Sequence, residues 1–194
     1  MAATDPAIAA SATADVHEGA DAATSSLLER HGLSLALAAA WIATLGSLYF
    51  SEVRGYAPCP LCWYQRIMMY PLAIILPIGL VRRDRALPIY AMALAAAGWC
   101  ISSYHLLIER GIISESSACK IGVSCSVRYI NWFGFVTIPL LAWTAFMLIG
   151  LASSAVHRAG AIDDGKPGEH PWRTVLGIVG AVVVVFAVLW RLRL

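Results

Sequence analysis

Cys59 and Cys62 enclose two residues, Pro60 and Leu61, while Cys119 and Cys125 enclose five. At both places two thiols sit close enough in the chain to close a small disulfide ring and reopen it. Pro60 suits the first position of a helix and Cys59 the cap before it, which puts Cys62 in the first turn. Unpaired N–H groups at such an end stabilise an anion, so a thiolate at either sulfur is favoured and the pair becomes a ready exchanger. A structural disulfide is the plain alternative, but a ring across two residues restrains little of the unfolded chain. The second pair lies in a Ser- and Gly-containing stretch with Lys120 beside Cys119 to favour its thiolate. As a staple it would contribute about 2 kcal/mol, so a structural role stands on its own there. If both pairs face one oxidising compartment, thiol–disulfide exchange can pass electrons from one to the other, and the combination is a relay.

Two further residues bear on that chemistry. Arg66 follows Cys62 by four, so on a helix the two share a face. A charge inside a membrane span costs up to about 2.5–3.5 kcal/mol at the centre and less near an end, and it asks for a reason. One reason is snorkelling towards the headgroups. The other is an acceptor for electrons leaving Cys62: a quinone carbonyl beside Arg66 would have its developing negative charge stabilised. His105 stands in a polar cluster with Ser102, Ser103 and Tyr104. It either hydrogen-bonds or protonates a second quinone oxygen, or is a satisfied structural histidine. Cys100 reads as a small core residue. His17, His31, His157 and His170 show no ligand spacing.

The elements that must carry these residues follow from composition. Of the 194 residues 13% are charged, about half the usual quarter, and the mean hydropathy is +0.71. This excludes an ordinary soluble enzyme and a disordered scaffold. A net charge of +2 gives no footprint for nucleic acid. Stretches without Asp, Glu, Lys or Arg cover 32–51, 67–81, 86–108, 129–156 and 174–190. A helix needs roughly 20 residues to cross the hydrocarbon, so the first, third and fourth qualify unaided. The second reaches that length only by starting near Leu61, which carries Arg66 into the membrane's outer third. The expectation is an all-α, polytopic membrane four-helix bundle over 31–156. A disordered cytoplasmic tail (1–30), a cytoplasmic loop (157–173) and an extra C-terminal hydrophobic helix (174–194) complete it.

Orientation comes from charge. The short, net positive link Arg82-Arg83-Asp84-Arg85 belongs in the cytoplasm, which places the N-terminus inside and segments 52–64 and 109–132 outside. Both cysteine pairs then share the extracytoplasmic side. The last span fits this rule poorly, because a crossing takes Arg191 and Arg193 outside; the competing picture is a helix dipping into or lying along the bilayer.

The element Cys59-Pro60-Leu61-Cys62-Trp63-Tyr64-Gln65-Arg66, the loop pair Cys119/Cys125 and four spans in this order resemble the DsbB/BdbC family of disulfide-bond formation proteins. The likeness covers roughly 32–156, and the short second gap with Tyr104-His105 ahead of it is closer to the BdbC branch. The resemblance implies a four-helix bundle in the bacterial cytoplasmic membrane. It would reoxidise a soluble thioredoxin-like partner of the DsbA/BdbD type and hand the electrons to a membrane quinone. It further implies that Cys119 forms the mixed disulfide with that partner, Cys125 exchanges with Cys59, and Cys62 faces the quinone with Arg66 assisting. The sequence does not distinguish ubiquinone from menaquinone. The acidic N-terminal tail and the extra C-terminal span depart from the family pattern.

Three alternatives remain beside this reading. A vitamin K epoxide reductase-like protein shares the two-pair logic, but its C-x-x-C pair follows the loop cysteines, whereas here it comes first. The four outer cysteines as thiolates could bind zinc or copper. An inert assembly subunit with two staples is the third.

Overall fold

The computed structural model describes residues 31–115, 117–120, 122–159 and 171–192. The expected tail at 1–30 and the middle of the expected loop, 160–170, lie outside the described residues. Five helices are long and apolar enough to cross a membrane: α1 (His31–Val53), α2 (Pro60–Arg82), α3 (Leu87–Glu109), α4 (Ile138–Ala159) and α5 (Pro171–Leu192). The chain is thus an all-helical polytopic membrane protein, with an isolated bridge between Trp132 and Val136 as the extended pairing among the described residues.

Residues 67–81 were too short for a span, and the structure shows how the second helix gains its length. Pro60 opens α2, and the Cys59 sulfur accepts the Cys62 N–H at 3.4 Å in the place of an ordinary oxygen cap. At the other end Arg83 turns left-handed (φ 52°), and the N–H of Asp84 returns to the Gly79 carbonyl at 2.9 Å. Asp84 Oδ1 then accepts the Ala86 N–H at 2.9 Å, and α3 starts at once. The basic link is therefore a tight reversal at the far end of α2 from the C-x-x-C motif. Pro71 and Pro77 stand inside α2, tolerated as prolines often are in membrane helices, where neighbours re-satisfy freed backbone groups.

Helix packing relies on close approach rather than on large side chains, as expected where lipid is as apolar as the interface. At Gly98 of α3 a Cβ would stand 2.2 Å from the Phe146 ring of α4, so Phe146 nests directly against α3 backbone. The shared core takes Leu33, Leu37 and Ala40 from α1, Leu72 and Leu76 from α2, Ala91 and Ala95 from α3, and Phe146 and Ile149 from α4. Polar bonds tie the helices further: Trp41 Nε1 donates to the Ala73 carbonyl at 3.0 Å, and Trp143 Nε1 to Ser103 Oγ at 2.9 Å.

Helix α5 lies at the edge of this core. It leans on α2 with Val175 buried, while Val184, Val185 and Val188 face outward. Its 22 residues are long and apolar enough to span. It begins at Pro171 and α4 runs to Ala159, so residues 157–159 and 171–173, expected in the loop, are helical. Cys100 corrects another expectation, because it is exposed on the outer face of α3 instead of buried in the core.

Candidate redox site

Both cysteine pairs come together at one end of the bundle, and the connecting segments explain how. The last turn of α1, Tyr49–Val53, is π-helical, a form often found beside functional sites. It delivers a short segment ending in Tyr56, whose ring stacks on Phe50 at 6.0 Å and on Tyr129 at 4.7 Å between centroids. Tyr129 comes from the long α3–α4 connection, and its hydroxyl donates to the Ala57 carbonyl at 3.0 Å. This aromatic stack fastens the segment before Cys59 to the loop that holds the second pair. Within that loop Ser117–Lys120 forms a single 3₁₀ turn. Glu115 accepts from Ser124 Oγ and, at 2.8 Å, from the Ser126 N–H.

Cys119 and Cys125 form a disulfide, with Cα atoms 5.5 Å apart. Both are sealed, at 0% and 1% exposure, in a small cluster with Cys59, Leu61 and Ile108, against which Cys62 and Tyr104 pack. Cys59 and Cys62 are free thiols whose sulfurs lie 3.1 Å apart. The disulfide takes Cys119 and Cys125 out of any four-thiolate metal set. Among the described residues, those with metal-ligand proximity are Cys59, Cys62 and His105, whose donor atoms lie within 4.8 Å of one another.

His105 links the two pairs. Its Nε2 is 3.0 Å from the Cys125 carbonyl oxygen and 3.7 Å from Cys59 Sγ, and its Nδ1 is 3.2 Å from Gln65 Nε2. A carbonyl only accepts, so Nε2 carries the proton and Nδ1 accepts from the Gln65 amide. The imidazole is 2% exposed with both nitrogens engaged inside the protein. The structure therefore brings it to the Cys59 sulfur, with the Cys125 carbonyl and the Gln65 amide as its other partners. The Cys59 thiol is held down to about 4 from an ordinary 9.0. The neighbouring Cys62 thiol is the largest cause, burial opposes it, and His105 and the Cys62 N–H add to it.

Arg66 is half-buried one turn below Cys62. Its Nη2 donates to the Ser47 carbonyl of α1 at 3.0 Å, and its guanidinium lies 5.2 Å from the Trp63 ring centroid. Trp63 and Tyr64 are about half exposed on the outer side of α2. A half-exposed aromatic ring beside a fixed cation would fit a planar, electron-accepting ring.

Gln65, Glu109, Arg128 and Thr137 were not singled out from sequence. Glu109 Oε1 lies 3.2 Å from Arg128 Nε, and Oε2 accepts from Thr137 Oγ1 at 2.9 Å. Arg128 Nη2 also donates to the Glu109 carbonyl at 2.6 Å. The available signal was spacing, since Gln65 follows Cys62 by three and Glu109 follows His105 by four, each pair on one helix face.

Known proteins resemble this chain over the same elements. It is 46% identical over 129 residues to the probable disulfide formation protein C 1 of Bacillus anthracis, covering 66% of this chain and 93% of that one. It is 52% identical over 111 residues to the disulfide bond formation protein C of Bacillus subtilis strain 168, covering 57% and 80%. The probable disulfide formation protein C of Halalkalibacterium halodurans is 50% identical over 117 residues, covering 60% and 85%. No solved structure matches. Residues 29–158 match the family model described as disulfide bond formation protein DsbB, a stretch that holds α1 to α4 and both cysteine pairs, and the chain belongs to that family of bacterial membrane proteins of disulfide bond formation.

Proposed function

We propose that this protein is a thiol:quinone oxidoreductase, reoxidising a soluble, extracytoplasmic, thioredoxin-like protein of the DsbA/BdbD type and passing the electrons through two cysteine pairs to a membrane quinone. The observation that carries this reading is the single buried cluster formed by Cys59, Cys119 and Cys125, with His105 touching both pairs. Exchange needs sulfurs in one place, and the fold gathers them at one end. The opposite end carries the basic α2–α3 reversal, which by its charge is cytoplasmic, so the cysteines face the oxidising side. The functional unit is 31–156; the tail, the loop and α5 are additions around it.

Each residue has a part that its surroundings support. Cys119 forms the mixed disulfide with the partner, and Cys125 exchanges with Cys59. That exchange expels Cys62, and His105 and the helix end then hold Cys59 as the thiolate that leaves when Cys119 takes Cys125 back. Cys62 faces the quinone, with Arg66 and the Trp63 ring forming the wall of its seat. A bound quinone, ubiquinone or menaquinone, supplies a two-electron sink soluble in lipid. The fixed Arg66 guanidinium stabilises negative charge arising there. Purified protein given a reduced thioredoxin-like substrate should form quinol, and replacing any of the four cysteines by Ser should abolish it. Unchanged turnover in the Cys59→Ser or Cys62→Ser protein would remove the relay.

A further inference from the structure

The dithiol form of the Cys59–Cys62 pair must lose a proton as well as electrons each time it is reoxidised, and the structure has a buried acid group beside it that the reading so far leaves unused. Two thiolates 3.1 Å apart would repel, so with Cys59 as the thiolate the reduced pair keeps one proton on the Cys62 side. Glu109 is 5% exposed, and its Oε1, though close to Arg128 Nε, has no aligned hydrogen bond and is buried. Glu109, Cys59, Cys62, His105, Arg128 and Thr137 line one cavity of about 20 Å³. That is room for one water molecule, with polar groups around it to hold it. A buried carboxylate oxygen lacking a hydrogen bond is costly unless it has a use or a water partner.

We propose that Glu109 is the proton acceptor of the Cys59–Cys62 pair, reached through a single water in this cavity. In the step, the Cys62 S–H proton passes by way of the water to Glu109. The S–S bond forms between Cys59 and Cys62, and two electrons leave the sulfurs. In the setting proposed above those electrons go onto the quinone with two protons drawn from water. Glu109 then releases its proton to solvent past Arg128, which is 43% exposed. The sum is one thiolate, one thiol, one quinone and two protons giving a disulfide, a quinol and one proton. Thr137 occupies Oε2, which leaves Oε1 as the oxygen without a hydrogen bond. The groups facing Glu109 are Arg128 and Tyr129 from the loop, His105 from its own helix, and Cys59 and Cys62 from α2 and its cap.

This inference rests on the redox cycling of Cys59 and Cys62 argued above, and a chemical oxidant separates the two. The purified protein is fully reduced and then oxidised across pH 5.5–8.5 either by a soluble quinone or by diamide, as an approximate range for proton-transfer profiles. Alkylation and mass spectrometry follow the Cys59/Cys62 disulfide. Glu109→Gln keeps the size and the Thr137 contact, and should slow disulfide formation about 100-fold at the acid end with both oxidants, recovering as pH rises. Glu109→Asp, which keeps the carboxylate, should recover most of the rate. A Glu109→Gln protein with the wild-type pH profile overturns the proposal. So does one slowed equally at every pH, or one that no longer forms the Cys119–Cys125 disulfide, since a mere clamp on Arg128 would behave that way. Wild-type protein oxidised by diamide but by no quinone would instead overturn the quinone reading and leave Glu109 in place.

Discussion

His105 Nε2 lies 3.7 Å from Cys59 Sγ while remaining 3.0 Å from the Cys125 carbonyl. One imidazole N–H thus serves the thiolate of the first pair and the backbone of the second. A change in the charge of the Cys59 sulfur is felt at the loop that carries Cys125.

The Cys59 thiolate should weaken when that N–H is removed. In His105→Ala the midpoint of Cys59 alkylation against pH should rise from about 4 by about one unit, the size of a lost charge-assisted hydrogen bond. The sign for stability follows from a folded value below the unfolded one. The contribution is fully present above about 9.0 and is lost as pH falls through about 4. Thermal unfolding of the reduced protein between those limits should show the loss, and His105→Ala should flatten it.

Arg66→Ala removes the cation beside Trp63 and the bond to Ser47. Steady-state kinetics should show the apparent KM for quinone rising about tenfold or more, with that for the reduced partner little changed. Arg66→Lys should recover only part, since an ammonium lacks the planar stack. An unaltered quinone KM in the alanine variant would place the acceptor elsewhere.

Orientation can be read directly in cells. After reduction, a membrane-impermeant maleimide should label cysteines of the Cys59/Cys119 cluster from outside; labelling only after lysis would invert the topology drawn from Arg82, Arg83 and Arg85.

Gly98 has no space beyond its backbone, with the Phe146 ring 2.2 Å from any added Cβ. Gly98→Val should force α3 and α4 apart and lower stability by about 1–3 kcal/mol, measured as a lower Tm in detergent. Coupling this change with Phe146→Leu should restore part of it.

Much of the fold and part of the site were legible in the residues. Charge-free stretches marked three spans outright, because a charge inside the hydrocarbon is costly, and Pro60 with Cys59 marked the start of α2, because a proline at the first helical position loses no helix hydrogen bond. Burial was not legible. Cys100 was expected inside and is outside, since a membrane helix is apolar on both its packed and its lipid faces and periodicity cannot separate them. Glu109 was passed over for a related reason: as a charge it marked the end of a stretch, although it is the last residue of α3 and nearly buried. Its partners Arg128 and Thr137 lie 19 and 28 residues further on, a closure no local pattern announces.

The Cys119–Cys125 bond is covered on all sides, yet it is the one assigned to meet the partner. Small thiols diffusing past meet little exposed sulfur, so reduction by glutathione-like molecules must wait for the loop to open. On the proposed relay, a cognate protein would have to lift the loop by its own binding, which would make insulation, more than reactivity, the source of selectivity at this surface.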